Sequence, residues 1–290
     1  MRIFVISDIH VDFEQNRKWL LTLSMMDYTK DTLILAGDIT HDPENLQNTL
    51  KWLRNRFAHL FFVPGNHDLW LNNGVFNDSL EKLEYLLNFC RDADIATQPQ
   101  KIGNKNDSYP VWIVPLLSWY TQPHEGEDTL YIQKPGEDND NRMWADNYYI
   151  RWSFTRLNPA FYFYQASQNI LEKEYDAPII SFSHFLPRQE MMFSENRQYD
   201  LERIKKYDRN PPFNFSRVAG STFIEKQIRA LKSVIHVYGH QHINRDRRIN
   251  GVRYVAHCLG YPNERNRGQV RGLEHGLKQI WDTNEEKETA

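Results

Sequence analysis

Several features that would assign the chain to a specialised class of protein are missing from its sequence. No stretch approaches the roughly 18 consecutive apolar residues that a membrane span requires. The two cysteines among the 290 residues, Cys90 and Cys258, lie far apart in apolar surroundings, so a disulfide framework is not indicated. The first apolar run ends directly in a polar motif at Asp8, which leaves no room for a signal peptide and predicts a cytoplasmic protein.

An excess of charge of either sign is also missing. The formal net charge is −3 and the isoelectric point is near 6.4, so no global attraction to nucleic acid or to an anionic membrane is expected. The hydrophobic fraction of 40% in 290 residues allows a full core,. We predict one domain over residues 1–283, followed by a flexible acidic tail over residues 284–290.

The sequence does contain five short polar motifs, each at the end of an apolar run typical of a buried strand. In chain order they are Asp8-Ile9-His10, Gly37-Asp38, Gly65-Asn66-His67-Asp68, an isolated His184, and Gly239-His240-Gln241-His242. Any one of these motifs alone is a weak indicator. Together they supply enough oxygen and imidazole ligands to predict two metal ions held side by side.

Strand and helix patterns alternate along the first half of the chain. Strands are predicted over residues 2–7, 32–36 and 59–63, and helices over residues 13–26, from Pro43 to Phe57 with Asp42 as N-cap, and over residues 79–90. Later strands are predicted over residues 111–117, 178–183, 233–238 and 252–258. This rhythm indicates a predominantly parallel sheet with ligands at the carboxyl ends of its strands.

Residues 118–175 differ from the rest because they are rich in aromatic side chains and are broken by a polar run at residues 136–141. We interpret this segment as an insertion that covers the site, with a helix from Pro159 to Tyr175. Its aromatic rings could stack on nucleobases or sugars. A lid packed on itself, or a dimer contact, is favoured, since several of the rings have helical spacing.

The ligand types suit hydrolysis of a phosphate ester, in which two divalent ions neutralise the phosphoryl oxygens and activate water. A carboxylate can share its oxygens between two metals, so Asp38 is the candidate bridging ligand. Asp8 and His10 would point to one side if the strand continued through them. His67 would turn away from Asn66, which leaves it available as a proton donor to the substrate.

These motifs resemble those of the calcineurin-like metallophosphoesterase superfamily over about residues 1–117 and 177–260. The resemblance implies an α/β fold, a four-layer α-β-β-α sandwich of two packed mixed sheets flanked by helices. It implies one metal on Asp8, His10, Asp38 and His242, and a second on Asp38, Asn66, His184 and His240. It also implies that Asp38 and His67 are catalytic, with His67 protonating the leaving group while a metal-bridging hydroxide attacks phosphorus in line.

Departures from the family patterns narrow the substrate class. Protein serine/threonine phosphatases have Gly-Asp-x-Val-Asp-Arg-Gly and Arg-Gly-Asn-His-Glu, whereas here His41 and Asp42 follow the second motif and Pro64 precedes the third. The chain therefore resembles members that act on small esters. The second aspartate of the motif Gly-Asp-x-Val-Asp-Arg-Gly has no counterpart here. Either Asp42 or a backbone carbonyl could therefore orient His67.

We predict a phosphoesterase that hydrolyses a phosphodiester or a small phosphomonoester. Manganese is the first choice of metal, with iron or zinc as alternatives, because mixed oxygen and nitrogen ligands accept all three. Arg188 and His41 are candidate substrate contacts. One alternative is a nuclease acting on single-stranded ends, which the modest charge weakens. The other is a non-catalytic scaffold, which would predict decayed metal ligands. The oligomeric state stays open.

Overall fold

The computed structural model describes residues 1–71, 74–103, 107–137, 144–154, 157–193, 212–273 and 276–284. Within these residues, the strands form two sheets. In the first sheet, β1 (Arg2–Ile6), β2 (Thr32–Leu35) and β3 (His59–Phe62) are parallel, and β10 (Lys278–Asp282) pairs antiparallel with β1. The strand order is therefore β10-β1-β2-β3.

The second sheet has six strands within the same described residues. They are β4 (Gln100–Ile102), β5 (Val111–Pro115), β6 (Ile179–Phe182), β7 (Ile235–Tyr238), β8 (Arg245–Ile249) and β9 (Val252–Ala256). Their order is β4-β5-β6-β7-β9-β8. The four inner strands are parallel, whereas the two edge strands, β4 and β8, are antiparallel to their neighbours.

Helices cover the outer faces of the two sheets. In chain order they are α1 (Glu14–Leu21), α2 (Pro43–Arg54), α3 (Ser79–Asp92), α4 (Asp146–Tyr149), α5 (Pro159–Ala166), α6 (Gln168–Leu171), α7 (Thr222–Ala230) and α8 (Pro262–Asn266). Asp42 caps α2 as predicted, because its carboxylate accepts from the Asn45 amide at 2.8 Å,. The predicted helix over residues 13–26 was too long, since the Thr22 hydroxyl bonds to the Trp19 carbonyl and the chain turns there,.

The core lies in layers that follow the alternation of side chains along each strand. Ile3 and Val5 of the first sheet share one buried cluster with Ile180 and Val237 of the second. The opposite face of β1 packs instead with the apolar stripe of α2, and α6 packs on the outer face of the second sheet. The predicted four-layer sandwich of two mixed sheets is therefore confirmed.

The sequence did not reveal three of these strands, and all three lie at sheet edges. In β8 the sequence Arg-Asp-Arg-Arg-Ile alternates between half-buried and exposed positions. Because one face of β8 is exposed, the strand lacks the continuous apolar run by which strands buried on both faces are identified,. The predicted helix from Pro159 to Tyr175 is divided at Ser167 into α5 and α6.

The remaining sequence predictions concern the ends of the chain and its cysteines. Cys90 and Cys258 are buried and unpaired. None of the described helices is both long enough and apolar enough to cross a membrane. The predicted tail lies outside the described residues except for Asn284, and a single domain over residues 1–283 stays a prediction.

Candidate metal centre

The five motifs lie on loops that leave the carboxyl ends of five parallel strands. β1, β2 and β3 lead to the first three motifs, β6 leads to His184, and β7 leads to His240 and His242. The two sheets are joined at this end, since the Ser7 amide donates to the His257 carbonyl at 2.9 Å. Ligands from both sheets therefore meet at one place.

The backbone at this place is not extended. The strand before Asp8 ends at Ile6, so the condition under which Asp8 and His10 would point to one side, a strand that continues through them, is not met. Left-handed backbone turns these side chains inward, with positive φ values at Asp8 (50°), His10 (44°), Asp38 (59°), His240 (70°) and His242 (54°). Each such residue costs roughly 1–3 kcal/mol and persists where surrounding contacts determine it.

Two groups of ligand atoms result, and they share Asp38. The first contains Asp8, His10, Asp38 and His242, and the second contains Asp38, His184 and His240; within each group the ligand atoms lie within 4.8 Å of one another. Nε2 of His10 is 3.0 Å from Nε2 of His242. The Asn66 Oδ1 joins the second group, because it lies 3.2 Å from Nε2 of His184.

Hydrogen bonds fix which nitrogen of three imidazoles faces the centre. Nδ1 of His184 bonds to the Ala36 carbonyl at 2.8 Å, and Nε2 of His240 bonds to the Val218 carbonyl at 3.0 Å. Nδ1 of His242 bonds to Oε2 of Glu264 at 2.7 Å. A nitrogen that donates to a carbonyl or carboxylate leaves the other with a lone pair for a metal. The donor set therefore fits two divalent ions that share Asp38.

The protonation of the cluster fits the same view. Burial acts to raise the pKa of Asp38, but His184 and His67 hold it well below its usual range. Burial opposes protonation of His184 and His242, yet Asp38 raises the pKa of His184 to about 9, and Asp8 raises the pKa of His242 to about 10. Asp8 and Asp38 thus favour positive charge at these positions, which is the charge that bound metal ions would supply.

Asp68 holds two of the loops together, and its role was not predicted. Its buried carboxylate accepts from the backbone amides of Asp38 and Ile39 at 2.8 Å and of Gly65 at 2.9 Å. Such a contact fixes the second motif against the third. The only sequence signal was its place in Gly-Asn-His-Asp, which gives no hint of its partners.

His67 lies between two aromatic rings at the edge of the centre. Its ring stacks on Trp70 with centroids 3.7 Å apart, and Nε2 lies 3.2 Å from the Tyr261 hydroxyl. Asp42, one of the two groups considered for orienting His67, instead caps α2. Burial lowers the pKa of His67, although Asp38 and Asp146 favour its protonated form.

The two predicted substrate contacts, Arg188 and His41, bond to acidic side chains outside the candidate ligands. Arg188 forms ion pairs with Glu225 at 2.8 Å and with Glu190 at 2.6 Å. Nδ1 of His41 is 3.4 Å from Oδ1 of Asp12. Neither residue is among the described residues that line the cleft at the centre, so their role in binding substrate stays a prediction without support from these contacts.

A cleft of about 560 Å³ opens over the candidate ligands. One wall is polar and holds Asp38, Asn66 and His67. The lining also includes five aromatic side chains, those of Trp70, Trp144, Phe213, Phe215 and Tyr261. Trp144 and Asp146 come from the predicted insertion, which confirms that its aromatic residues reach the site. The cleft can therefore hold an anionic group beside an organic one.

The chain is similar to known phosphoesterases in sequence and in fold. A model of calcineurin-like phosphoesterases matches residues 1–265. The acyl-carrier-protein phosphodiesterase PptH of Mycobacterium tuberculosis is 26% identical over 290 residues, covering 90% of this chain and 78% of PptH. Its crystal structure, titled a phosphopantetheinyl hydrolase, matches with a TM-score of 0.72 at 22% identity, over 96% of this chain and 95% of that one.

A second kind of relative matches over a shorter segment. Symmetrical bis(5'-nucleosyl)-tetraphosphatases of Photorhabdus laumondii and Proteus mirabilis are each 37% identical over 100 residues. That segment is 32% of this chain and 35% of each relative. The similarity to these enzymes thus covers about a third of either protein, whereas the similarity to PptH covers most of both.

Proposed function

The chain belongs to the calcineurin-like phosphoesterase family, and we propose that it hydrolyses a phosphodiester with one small organic arm. One observation carries the proposal: two groups of ligand atoms, each within 4.8 Å, share the buried carboxylate of Asp38 beneath an aromatic-walled cleft. Asp8, His10, Asp38 and His242 would hold one metal ion, and Asp38, Asn66, His184 and His240 the other.

The metals we propose are a pair of divalent ions, manganese first and iron or zinc as alternatives. When bound, such a pair supplies neutralisation of the phosphoryl oxygens and activation of water. The donors support this assignment because they combine carboxylate, amide and imidazole groups. Glu264 on His242 and the Ala36 carbonyl on His184 hold these rings in the orientation that such binding needs,.

His67 has the proposed role of proton donor to the leaving oxygen. Its Nε2 lies 4.0 Å from Oδ2 of Asp38 and 3.2 Å from the Tyr261 hydroxyl, so it faces the mouth of the cleft between the ligand groups and Tyr261. A proton on Nε2 can pass to an oxygen that lies there. Stacking on Trp70 limits rotation of the ring and keeps Nε2 on this side.

The substrate class is proposed from the cleft and from the relatives. Trp144 and Phe215 offer apolar area to an organic arm beside the phosphorus,. A diester has two such arms, and the relative that matches most of this chain is named a phosphodiesterase. The phosphodiester that joins phosphopantetheine to an acyl carrier protein is therefore the first natural substrate to test.

The proposal is tested on the purified chain by measuring bound metal and the hydrolysis of bis-p-nitrophenyl phosphate and p-nitrophenyl phosphate with added manganese. We expect turnover of the diester in preference to the monoester. His67→Ala should keep its metal and lose at least about 100-fold in kcat for a diester with an alkyl leaving group, assayed beside the two p-nitrophenyl esters, because it removes a proton donor only. Asp38→Ala should lose both turnover and metal.

Other outcomes would support different functions. Full turnover in either variant would contradict the assigned roles. A nuclease would degrade single-stranded oligonucleotides in preference to small diesters, and a scaffold would bind less than about one metal and show no turnover. Loss of activity in Arg188→Ala with unchanged structure would restore the predicted substrate contact at that position.

A further inference from the structure

We propose that Asp146, which begins the short helix α4 of the insertion, is a positioning residue. It sets the orientation of the Asn66 amide and, through Trp70, the position of the His67 ring. The proposal rests on the proposed function, since it concerns how the same centre is built. It was not foreseen from the sequence, because Asp146 lies outside the five motifs and 80 residues from Asn66 along the chain.

Three donors converge on the carboxylate of Asp146. Oδ1 accepts from Nδ2 of Asn66 at 2.9 Å and from Nε1 of Trp70 at 2.6 Å, and Oδ2 accepts from the Tyr120 hydroxyl at 3.0 Å. Asp146 is 5% exposed and Asn66 is likewise 5% exposed. A buried carboxylate surrounded by donors is an acceptor on both oxygens, and such charge-assisted bonds hold their donors firmly.

The first consequence concerns which end of the Asn66 amide faces the metal centre. The amide has an oxygen that can bind a cation and an NH2 group that cannot. With Nδ2 on Asp146, Oδ1 is 3.2 Å from Nε2 of His184, among the donors of the second ligand group. An amide turned the other way would lose its bond to Asp146 and present two donors to a cation. Asp146 therefore selects the orientation that binds metal.

The second consequence concerns His67. The indole Nε1 of Trp70 donates to Asp146, which anchors the ring. The His67 ring stacks on this indole with the centroids 3.7 Å apart. One carboxylate thus fixes a proposed metal ligand and the platform of the proposed proton donor.

Backbone bonds attach this part of the insertion to the core. The Leu71 amide donates to the Tyr149 carbonyl at 2.7 Å, and the Ser79 amide donates to the Arg151 carbonyl at 2.8 Å. The segment around α4 is therefore paired with the chain that leads from His67 to α3. These two bonds tie the residues that flank Asp146 to the chain that carries His67 and Trp70.

The test is a calorimetric titration of the metal-free chain with Mn²⁺. Asp146→Leu removes the acceptor while keeping the branched shape of the side chain, and we expect the affinity for one of two ions to fall at least about 10-fold while the other changes less than about 3-fold. Asp146→Asn can still present an oxygen to Asn66 and Trp70, and its affinity for both ions should stay within about 3-fold of the unmodified chain. Equal affinities in all three proteins would overturn the proposal.

A second comparison covers the case in which Asp146→Leu does not fold. Asn66→Asp places two carboxylates face to face and should weaken binding of the same ion. Adding Asp146→Asn exchanges donor and acceptor, because the new amide can donate to the new carboxylate, and it should recover at least about 5-fold in affinity. No recovery would contradict a positioning role. If the unmodified chain binds no manganese, the proposed function itself fails, so the two failures are distinguishable.

Discussion

The metal-side loops and the insertion form two walls of one cleft by different means. The metal-side loops, residues 7–10, 37–40, 65–68, 183–184 and 239–242, combine left-handed backbone with buried carboxylates that bind backbone amides. In the described residues of the insertion, 118–137, 144–154 and 157–175, hydrogen bonds such as those of Asp146 are joined by many stacked and edge-on rings, for example Trp119 against Trp152 at 4.9 Å and Trp152 against Phe154 at 5.5 Å. Hydrogen bonds and strain fix positions within tenths of an ångström, whereas ring packing tolerates repacking.

This difference indicates which part of the cleft must keep a fixed geometry for the reaction. A metal centre and a proton donor require fixed geometry, since a displacement of about 1 Å can cost about 100-fold in rate. Recognition of an organic arm requires mainly apolar area of the right shape. Asp146 belongs to the insertion but helps to fix the geometry of the metal-side loops, because it bonds to Asn66. We expect substitutions on the two walls to differ in both size and kind of effect.

The largest effect is expected from Gly65→Ala on the metal-side loops. A Cβ there would lie 2.8 Å from Cγ of Asp38 and 2.8 Å from Cε1 of His184, so both ligands must move. We expect kcat/KM to fall at least about 100-fold and bound metal to be lost, as measured by steady-state kinetics and metal analysis. Gly251→Ala, in the β8–β9 turn, is the control: no atom lies within 4 Å of its Cβ but φ is +83°, so it should lower stability and retain both activity and metal. Full metal binding by Gly65→Ala would contradict the rigid wall.

A smaller effect is expected from Tyr261→Phe, which lies in the cleft beside His67. Its hydroxyl bonds to Nε2 of His67 at 3.2 Å, so its loss should affect proton donation to the leaving group. We expect kcat to fall about 10-fold for diesters with alkyl leaving groups and to change little for p-nitrophenyl esters, whose leaving group needs no proton. An equal loss for both substrate types would show that Tyr261 acts in another way. Tyr254→Phe, which alters a buried hydroxyl bonded to Glu225, is the control.

A change of another kind is expected from Trp144→Ala on the aromatic wall. Trp144 lines the cleft and packs against Phe213 at 4.8 Å. We expect KM for a bulky diester to rise about 5-fold with kcat nearly unchanged, because the loss of one aromatic contact costs ~1 kcal/mol. Phe154→Ala, which removes a ring of the same insertion outside the cleft lining, should lower stability and leave KM unchanged. A fall in kcat for Trp144→Ala would mean that this wall too positions the reacting groups.

The smallest effect at neutral pH is expected from His236→Gln, which tests a buried histidine within a strand rather than on a loop. His236 lies in β7 between the hydroxyls of Ser181 and Ser183 at 2.9 and 3.1 Å. Burial lowers its pKa to about 3 from the ordinary 6.5. Between these values the unfolded chain binds a proton that the folded chain does not, so stability is lost as the pH falls through this window.

The measurement for this prediction is chemical denaturation of both proteins between pH 7 and pH 4. Glutamine does not titrate, so the variant lacks this loss, and the difference in unfolding free energy should move in its favour by at most about 1.4 kcal/mol per pH unit. Parallel pH profiles of the two proteins would refute the assignment. Turnover at neutral pH should differ by less than about 3-fold, since His236 is not itself a candidate ligand and glutamine can keep a bond to the Ser183 hydroxyl,.

Much of the fold and of the site was predictable from the sequence, for a local reason. Each inner parallel strand is buried on both faces, so it reads as a short apolar run, and each motif follows its run directly along the chain. The N-cap at Asp42 is equally local, since the carboxylate bonds to an amide three residues later. The antiparallel edge strands, such as β8, escaped because one covered face leaves no continuous apolar run.

The supporting contacts of the site were not predictable. Glu264 bonds to His242 from 22 residues away, and Tyr261 reaches His67 across 194 residues. Sequence spacing carries no information on such pairs, because a side chain's partner across the fold depends on how loops pack. The strand does not continue through Asp8 and His10 for a related reason: the left-handed turns there are imposed by bonds to Gly37 and Asp38 on another loop.

The sequence by itself determined the kinds of ligand, their order and the strand ends from which they project, because these properties belong to contiguous segments of the chain. Only the tertiary structure decided that His10 and His242, separated by 232 residues, lie 3.0 Å apart, that three imidazoles present a given nitrogen, and that an insertion supplies Asp146. These features depend on hydrogen bonds and packing between segments, whose geometry exists only once both sheets have come together.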